Sequence, residues 1–239
     1  MASRADRAQT AIGTGKDNLP PGDLERNMKS VDVYWSFRSP YSYLATPGML
    51  KIREEYLVDV NLRVVLPIAV RSPELLFNPQ NANRTRYILL DWARRAEFLG
   101  MPSAWPSPDP IVQNIETMEI ASEQPYIYRL SSLGVEAQRQ GRGIDFAAEA
   151  AAMIWGGTRD WDKGDQLAQA AQRAGLDLAQ MENAVSGGTH LEEIEGNHAG
   201  LDAAGQWGVP TFVFDGEPFF GQDRIDTLCW RLDQVGLRR

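Results

Sequence analysis

The sequence predicts an α/β fold in which a βαβ half and a ββα half are separated by an all-helical insertion. A strand, a helix and a second strand follow one another within residues 31–69. Helical periodicity then dominates residues 84–188, and the chain returns to a hairpin and a helix after residue 208. Because a strand-helix-strand unit of this length is a βαβ motif, its two strands are expected to be parallel with a right-handed crossover.

The first half begins with a buried strand. Residues 31–37 (VDVYWSF) are rich in β-branched and aromatic side chains, which favour a strand. A turn leads into a helix over residues 43–56, where apolar residues recur at roughly helical spacing and Pro47 predicts a kink. Residues 58–69 (VDVNLRVVLPIA) predict the second strand of the unit.

The middle of the chain is expected to be helical. A polar loop at residues 70–83 precedes it, and apolar side chains at helical spacing continue to residue 188. A proline-rich stretch at residues 102–110 and several glycines mark the breaks between helices. No period of about 20 to 50 residues repeats, so a solenoid is excluded.

The end of the chain predicts a β-hairpin and a closing helix. A strand over residues 211–215 is followed by an Asp-Gly turn and a short apolar run at 218–220, which is a good hairpin signal. Residues 223–235 carry apolar side chains on one side, as an amphipathic helix does. The order of all these elements is that of a thioredoxin-like fold with a helical insertion.

These boundaries divide the chain into three parts. Residues 1–30 are expected to be a flexible N-terminal extension without the apolar segment of a signal peptide. Residues 31–83 and 189–239 are expected to form the thioredoxin-like domain, and residues 84–188 the helical insertion domain.

Composition and charge exclude several classes of protein. Of the 239 residues, 43% are hydrophobic and 23% charged, which is typical of a globular chain. A net charge of −8 repels phosphate backbones, so no nucleic-acid partner is expected. No window approaches the roughly 18 consecutive apolar residues of a transmembrane helix, so no membrane association is expected.

The cysteine and histidine content excludes further chemistry. Cys229 is the only cysteine, so neither a disulfide within the chain nor a dithiol redox pair can form. This favours a reducing, cytoplasmic location. His190 and His198 lack a metal-ligand pattern, and no metal site is expected.

The motif Ser39-Pro40-Tyr41-Ser42 follows a strand and opens a helix. Free N–H groups and the macrodipole make a helix start favourable for an anion. Thioredoxin-like enzymes place a Cys-x-x-Cys pair there, but both sulfur positions are serines in this chain. Two roles for Ser39 remain open: it donates its hydroxyl to a bound thiolate, or it only caps the helix.

Two later stretches could complete such a site. A cis bond between Val209 and Pro210 would expose the backbone of Val209 to an extended, peptide-like ligand. Gln222 and Asp223 lie between the hairpin and the last helix. Asp223 either caps that helix or pairs with an ammonium group of a ligand.

The tryptophans Trp92, Trp155 and Trp161 lie in the helical part of the sequence. Core packing is their ordinary role, although aromatic rings facing a site would suit a planar aromatic substrate.

Residues 35–45 (WSFRSPYSYLA) and 207–224 (WGVPTFVFDGEPFFGQDR) resemble the 2-hydroxychromene-2-carboxylate isomerase family. That family is related to kappa-class glutathione transferases and to the DsbA-like branch of the thioredoxin superfamily. The likeness extends over residues 31–232, and stretches such as 87–94 (YILLDWAR) and 153–157 (MIWGG) look like the family's helical insertion.

The resemblance implies glutathione as cofactor, with Ser39 as the catalytic residue that holds the reactive thiolate. The Val209 backbone beside cis-Pro210 would pair with the cysteinyl unit of glutathione. Gln222 and Asp223 would hold its γ-glutamyl end.

The resemblance also implies a basic residue and an asparagine for the carboxylates and backbone of glutathione. Arg84 stands near the position where relatives carry a lysine, with Arg86 as its neighbour. The asparagine would come from the preceding loop. Asn78, Asn81 and Asn83 all qualify, and we assign the role to Asn81.

The activity implied is a glutathione-dependent cis-trans isomerisation of 2-hydroxychromene-2-carboxylate-like aromatic catabolites by reversible thiolate addition. A kappa-like glutathione transferase or lyase acting on other electrophiles is one alternative. A non-catalytic thioredoxin-like module that binds an extended peptide is another. The resemblance further implies a homodimer.

Overall fold

The computed structural model describes residues 28–72, 82–114, 117 and 119–239. The elements of the first half and of the first long helix are β1 (Ser30–Trp35), α1 (Pro40–Glu55), β2 (Asp59–Val64), α2 (Ile68–Arg71) and α3 (Ala82–Leu99). The later elements are α4 (Pro125–Arg139), α5 (Gly143–Trp155), α6 (Gln166–Arg173), α7 (Leu178–Ser186), α8 (His190–Ala203), β3 (Thr211–Phe214), β4 (Glu217–Phe220), a 3-10 turn (Gln222–Arg224) and α9 (Ile225–Gln234).

The sheet has the order β2-β1-β3-β4. Strand β1 pairs in parallel with β2, and Val33 lies opposite Leu62. Strand β3 is antiparallel to both of its neighbours, so Phe212 lies between Val33 and Phe219. The parallel βαβ unit and the C-terminal hairpin predicted from the sequence are therefore confirmed, and so is the α/β, thioredoxin-like fold class.

The helices of the middle segment pack directly on this sheet. Gly134 of α4 lies so close to it that an added Cβ atom would sit 2.8 Å from the Phe37 ring and 2.9 Å from Val64. Phe37 also meets Phe146 of α5 edge to face, with ring centroids 5.9 Å apart. The sheet and the helices thus share one hydrophobic core.

The second strand is shorter than the sequence suggested. The range 58–69 was expected to be strand throughout, but β2 ends at Val64 and α2 begins at Ile68. Pro67 lies between them with φ of −62°, and a proline has no N–H to donate to a strand ladder. Helix α1 begins at Pro40, as the Ser39-Pro40-Tyr41-Ser42 motif predicts, and it runs through Pro47 to Glu55.

Two sequence-based expectations stay predictions. Residues 1–27 lie outside the described part of the chain, so the structure does not test the N-terminal extension. The division into a thioredoxin-like domain and a helical insertion domain is likewise untested. Within the described ranges, every helix is too short or too polar to cross a bilayer.

Candidate active site

A cavity of about 620 Å³ lies between the start of α1, the loop before β3, and helices α2 and α3. Its walls are mainly apolar, with contributions from Leu66, Ile68, Ile88, Trp207 and Phe220. The rings of Trp207 and Phe220 lie 5.5 Å apart at a tilted angle. Such a cavity suits a ligand with a planar apolar body.

Ser39 lines this cavity at the N-terminus of α1. Its Oγ accepts a hydrogen bond from the Ser42 N–H at 3.2 Å, so Ser39 is the N-cap of the helix. The same hydroxyl donates a long bond of 3.4 Å to the Val209 carbonyl oxygen. The capping role considered from the sequence is therefore present. The thiolate-binding role stays a prediction.

The Val209–Pro210 peptide bond is cis, as predicted from the sequence. Val209 lines the cavity, and its N–H has no hydrogen-bond partner within the described ranges. The carbonyl of Pro210 accepts a bond of 2.9 Å from the Gly221 N–H, which joins this loop to the end of β4. The backbone of Val209 is thus available to a ligand in the cavity.

Gln222 and Asp223 lie beyond β4, and their side chains do not line the cavity. Gln222 Oε1 accepts a 3.1 Å bond from Arg95 Nε of α3. Asp223 is exposed and pairs with Arg224 at 2.9 Å, and it makes no capping bond to the helix that follows. Gly221, which directly precedes Gln222, bonds to the carbonyl of cis-Pro210. The contact of Gln222 and Asp223 with glutathione stays a prediction.

The expected basic and asparagine contacts are only partly described. Asn78 and Asn81 lie outside the described residues, and Arg84 lies in α3 with a side chain that is also outside them. Asn83 at the start of α3 lines the cavity. Asn83 is the only one of the three asparagines that the structure describes, and the assignment of the role to Asn81 stays a prediction.

Tyr41 and Tyr87 line the cavity, and both bond to Asp91 in a network that the sequence did not reveal. The Tyr41 hydroxyl donates to Asp91 at 2.7 Å, and the Tyr87 hydroxyl donates to the other oxygen at 3.3 Å. Burial and the bond to Asp91 raise the pKa of Tyr41 well above its usual value, so this phenol stays neutral. Burial opposes ionisation of Asp91, but bonds from Tyr41 and Arg94 outweigh it and lower its pKa.

Arg38 is a second cavity residue that the sequence did not identify. Its guanidinium donates two bonds to Asp109, at 2.9 and 3.1 Å, and stacks on the Trp105 ring at 4.9 Å. Trp105 in turn meets Trp92 and Trp155 edge to face. Asp109 and Trp105 therefore hold the Arg38 side chain in place in the cavity wall.

Trp92, Trp155 and Trp161 are all buried, as the core-packing interpretation expects. Trp207 is the tryptophan that reaches the cavity. The indole N–H of Trp155 donates to the Phe37 carbonyl at 3.0 Å, which fixes the backbone two residues before Ser39.

His198 supports the floor of the cavity from helix α8. Its Nε2 accepts a 2.8 Å bond from the N–H of Leu66, which requires a neutral ring. Burial first, and the nearby Arg71 second, lower the pKa of His198 below 6.5.

We expect this histidine to make stability depend on pH. Because its pKa is lower in the folded state, the unfolded chain binds more protons below about pH 6.5. Stability is then full above that pH and falls as the pH drops through the window toward the folded pKa. His198→Gln keeps an acceptor for Leu66 and should flatten this decline. Urea midpoints at about pH 7 and about pH 5.5 test it, and an equal decline in both proteins would contradict it.

The described residues hold no cluster that would bind a metal ion. Cys229 of α9 lies away from the cavity. Burial raises the pKa of its thiol, so Cys229 is a poor nucleophile near neutral pH.

Known proteins are similar to this chain over most of its length. The family model of the DsbA-like thioredoxin domain matches residues 30–233. A 2-hydroxychromene-2-carboxylate isomerase of Pseudomonas putida is 26% identical over 200 residues, covering 82% of this chain and 90% of the relative. The resemblance to this isomerase family inferred from the sequence is thereby confirmed.

Two solved structures share the fold. A structure of 2-hydroxychromene-2-carboxylate isomerase has a TM-score of 0.63 and 21% identity, over 86% of this chain and 95% of that one. A structure of the cytosolic disulfide reductase DsbM from Pseudomonas aeruginosa with GSH has a TM-score of 0.54 and 15% identity, over 85% and 99%. The match to the family model spans nearly the whole described chain, and the protein therefore belongs to the DsbA-like thioredoxin domain family.

Proposed function

We propose that the protein is a glutathione-dependent isomerase of aromatic carboxylates similar to 2-hydroxychromene-2-carboxylate. One observation carries the proposal: Ser39 stands at a helix N-terminus on the wall of an apolar cavity, within 3.4 Å of the Val209 carbonyl oxygen. A serine replaces the redox cysteine at this position, so the chain itself lacks the sulfur that the site is built to stabilise. The names of the isomerase relatives support the same reaction class.

The residues at the site fit a peptide-like thiol. The N–H of Val209, which has no partner among the described residues, can pair with the cysteinyl backbone of glutathione. The Ser39 hydroxyl donates only a long bond, which a ligand can replace. When bound, glutathione supplies a nucleophilic sulfur that adds reversibly to the unsaturated substrate. The start of α1 and the Ser39 hydroxyl stabilise negative charge there.

The remaining cavity residues orient the substrate and exclude water. The apolar walls formed by Leu66, Ile68 and Ile88 favour a planar ring, and Trp207 and Phe220 offer aromatic faces. The Tyr41 hydroxyl is neutral and donates to Asp91, and the negative charge of Asp91 is paired with Arg94.

A turnover assay with and without glutathione tests the proposal. We expect isomerisation of 2-hydroxychromene-2-carboxylate, followed by absorbance, only when glutathione is present, with no net consumption of thiol. Accumulating conjugates would indicate the transferase or lyase instead. Binding of extended peptides without any turnover would indicate the non-catalytic module.

Cys229→Ala is the control for the source of the sulfur. Because Cys229 lies outside the cavity and its thiol pKa is raised, turnover should be unchanged. Loss of turnover in a folded Cys229→Ala protein would contradict a mechanism that relies on glutathione for its thiol.

The homodimer and the cytoplasmic location implied from the sequence stay predictions. Exposed apolar side chains of α3, Leu90 at 61% and Phe98 at 76%, would suit a subunit interface.

A further inference from the structure

Arg71, the last residue of α2, lines the cavity. Its Nη2 donates to the carbonyl oxygen of Trp207, which holds the guanidinium against the loop before Pro210. Its Nε is buried and has no hydrogen-bond partner within the described ranges. A buried donor without a partner is costly, so the site has an unused hydrogen bond to offer.

The charges around the cavity favour an anion. The chain has a net charge of −8, yet the described residues that line the cavity include two arginines and no aspartate or glutamate. Arg38 already gives two bonds to Asp109. Of these two arginines, Arg71 is the one with a buried donor that has no partner in the described part of the chain.

The guanidinium of Arg71 is charged and partly buried, as a carboxylate-binding group would be. Burial lowers its pKa, and the nearby Asp202 acts in the opposite direction. An arginine nevertheless keeps its charge near neutral pH, so the group remains a partly desolvated cation. An incoming carboxylate would regain interactions that water no longer supplies.

We propose that Arg71 is a positioning residue that binds a ligand carboxylate inside this cavity. For an aromatic acid, the ring would lie against Trp207 and Phe220, whose rings line the same cavity. Glutathione also carries carboxylates, and its glycine end is the second possible source of the same group. The proposal deepens the proposed function, because it names the group by which that site selects its ligand.

Calorimetric titration of the glutathione-free protein with chromone-2-carboxylate and its amide tests the first source. We expect the acid to bind about ten- to a hundred-fold more tightly than the amide, as a charged hydrogen bond predicts. Arg71→Met should abolish the preference, and Arg71→Lys should keep part of it. Arg63→Met is the matched control, since Arg63 pairs with Asp32 outside the cavity and its loss should leave the preference intact.

Titration with glutathione and its glycine ethyl ester tests the second source. If Arg71→Met removes the preference for glutathione over its ester but does not change the aromatic pair, Arg71 binds the glycine carboxylate of glutathione. The proposal is overturned if the wild-type protein binds acid and neutral form equally in both pairs, or if Arg71→Met keeps both preferences. The wild-type comparison needs no variant to fold.

These outcomes are independent of turnover. If the protein shows no isomerase activity but its carboxylate preference depends on Arg71, the carboxylate site is supported and the proposed function is rejected. If activity is present, Arg71→Lys should raise KM for the aromatic acid more than it lowers kcat, because Arg71 orients the substrate without touching the reacting carbon.

Discussion

Replacing Ser39 with alanine is expected to lower turnover about ten- to a hundred-fold while the protein still folds. In the proposed mechanism, the change removes a charge-assisted hydrogen bond from the Ser39 hydroxyl to the sulfur of glutathione, and such a bond contributes roughly 1.5–3 kcal/mol. The variant also loses the N-cap of α1, at a cost of about 1 kcal/mol in the free energy of unfolding. Steady-state kinetics and urea unfolding of the same sample measure the two effects.

Ser39→Gly separates the cap from the chemistry. Glycine is a tolerable N-cap and costs only a few tenths of a kcal/mol relative to serine, but it has no hydroxyl. We expect Ser39→Gly to be nearly as stable as the wild type and nearly as slow as Ser39→Ala. If its turnover matched the wild type, the hydroxyl would have no role in the reaction.

Replacing Trp155 with alanine is expected to lower the free energy of unfolding by about 3–5 kcal/mol. Its side chain is fully buried and meets Trp92 and Trp105 edge to face, so the change leaves a large cavity. It also removes the donor to the Phe37 carbonyl. Denaturant midpoints measure the loss directly.

Two other variants separate the contributions of the indole donor and of burial to that loss. Trp155→Phe keeps most of the ring volume but not the indole donor, so its loss should be smaller and should come chiefly from the unpaired Phe37 carbonyl. Trp230→Ala removes an indole that is 51% exposed and should cost less than about 1 kcal/mol. Equal losses for Trp155→Ala and Trp230→Ala would show that the buried aromatic cluster does not stabilise the fold.

The sequence was sufficient for those features that depend on neighbouring residues. The parallel pair β1 and β2 followed from a strand-helix-strand pattern, and the hairpin of β3 and β4 followed from an Asp-Gly turn. The end of β2 was missed because the apolar residues of VVLPIA are compatible with either a strand or a short helix. Only Pro67 marks the change from one to the other.

The missed residues of the cavity depend on partners that are distant in the chain. Tyr41 is oriented by Asp91, 50 residues away, and Arg38 by Asp109, 71 residues away. Arg71 rests on the Trp207 carbonyl, 136 residues away. No local pattern marks such pairs, so their side chains can be assigned only when the fold brings them together.

The bond between the Ser39 hydroxyl and the Val209 carbonyl has a consequence for how the molecule acquires its cavity during folding. The two residues are 170 positions apart, and every helix of the middle segment lies between them in the chain. Contacts of such long sequence separation carry a large loop-closure cost and form slowly. Helices α4 to α7 can therefore be complete on a nascent chain before β3 has joined β1. The ability to bind a ligand would then arise last in folding, and it would indicate that β3 has paired with β1.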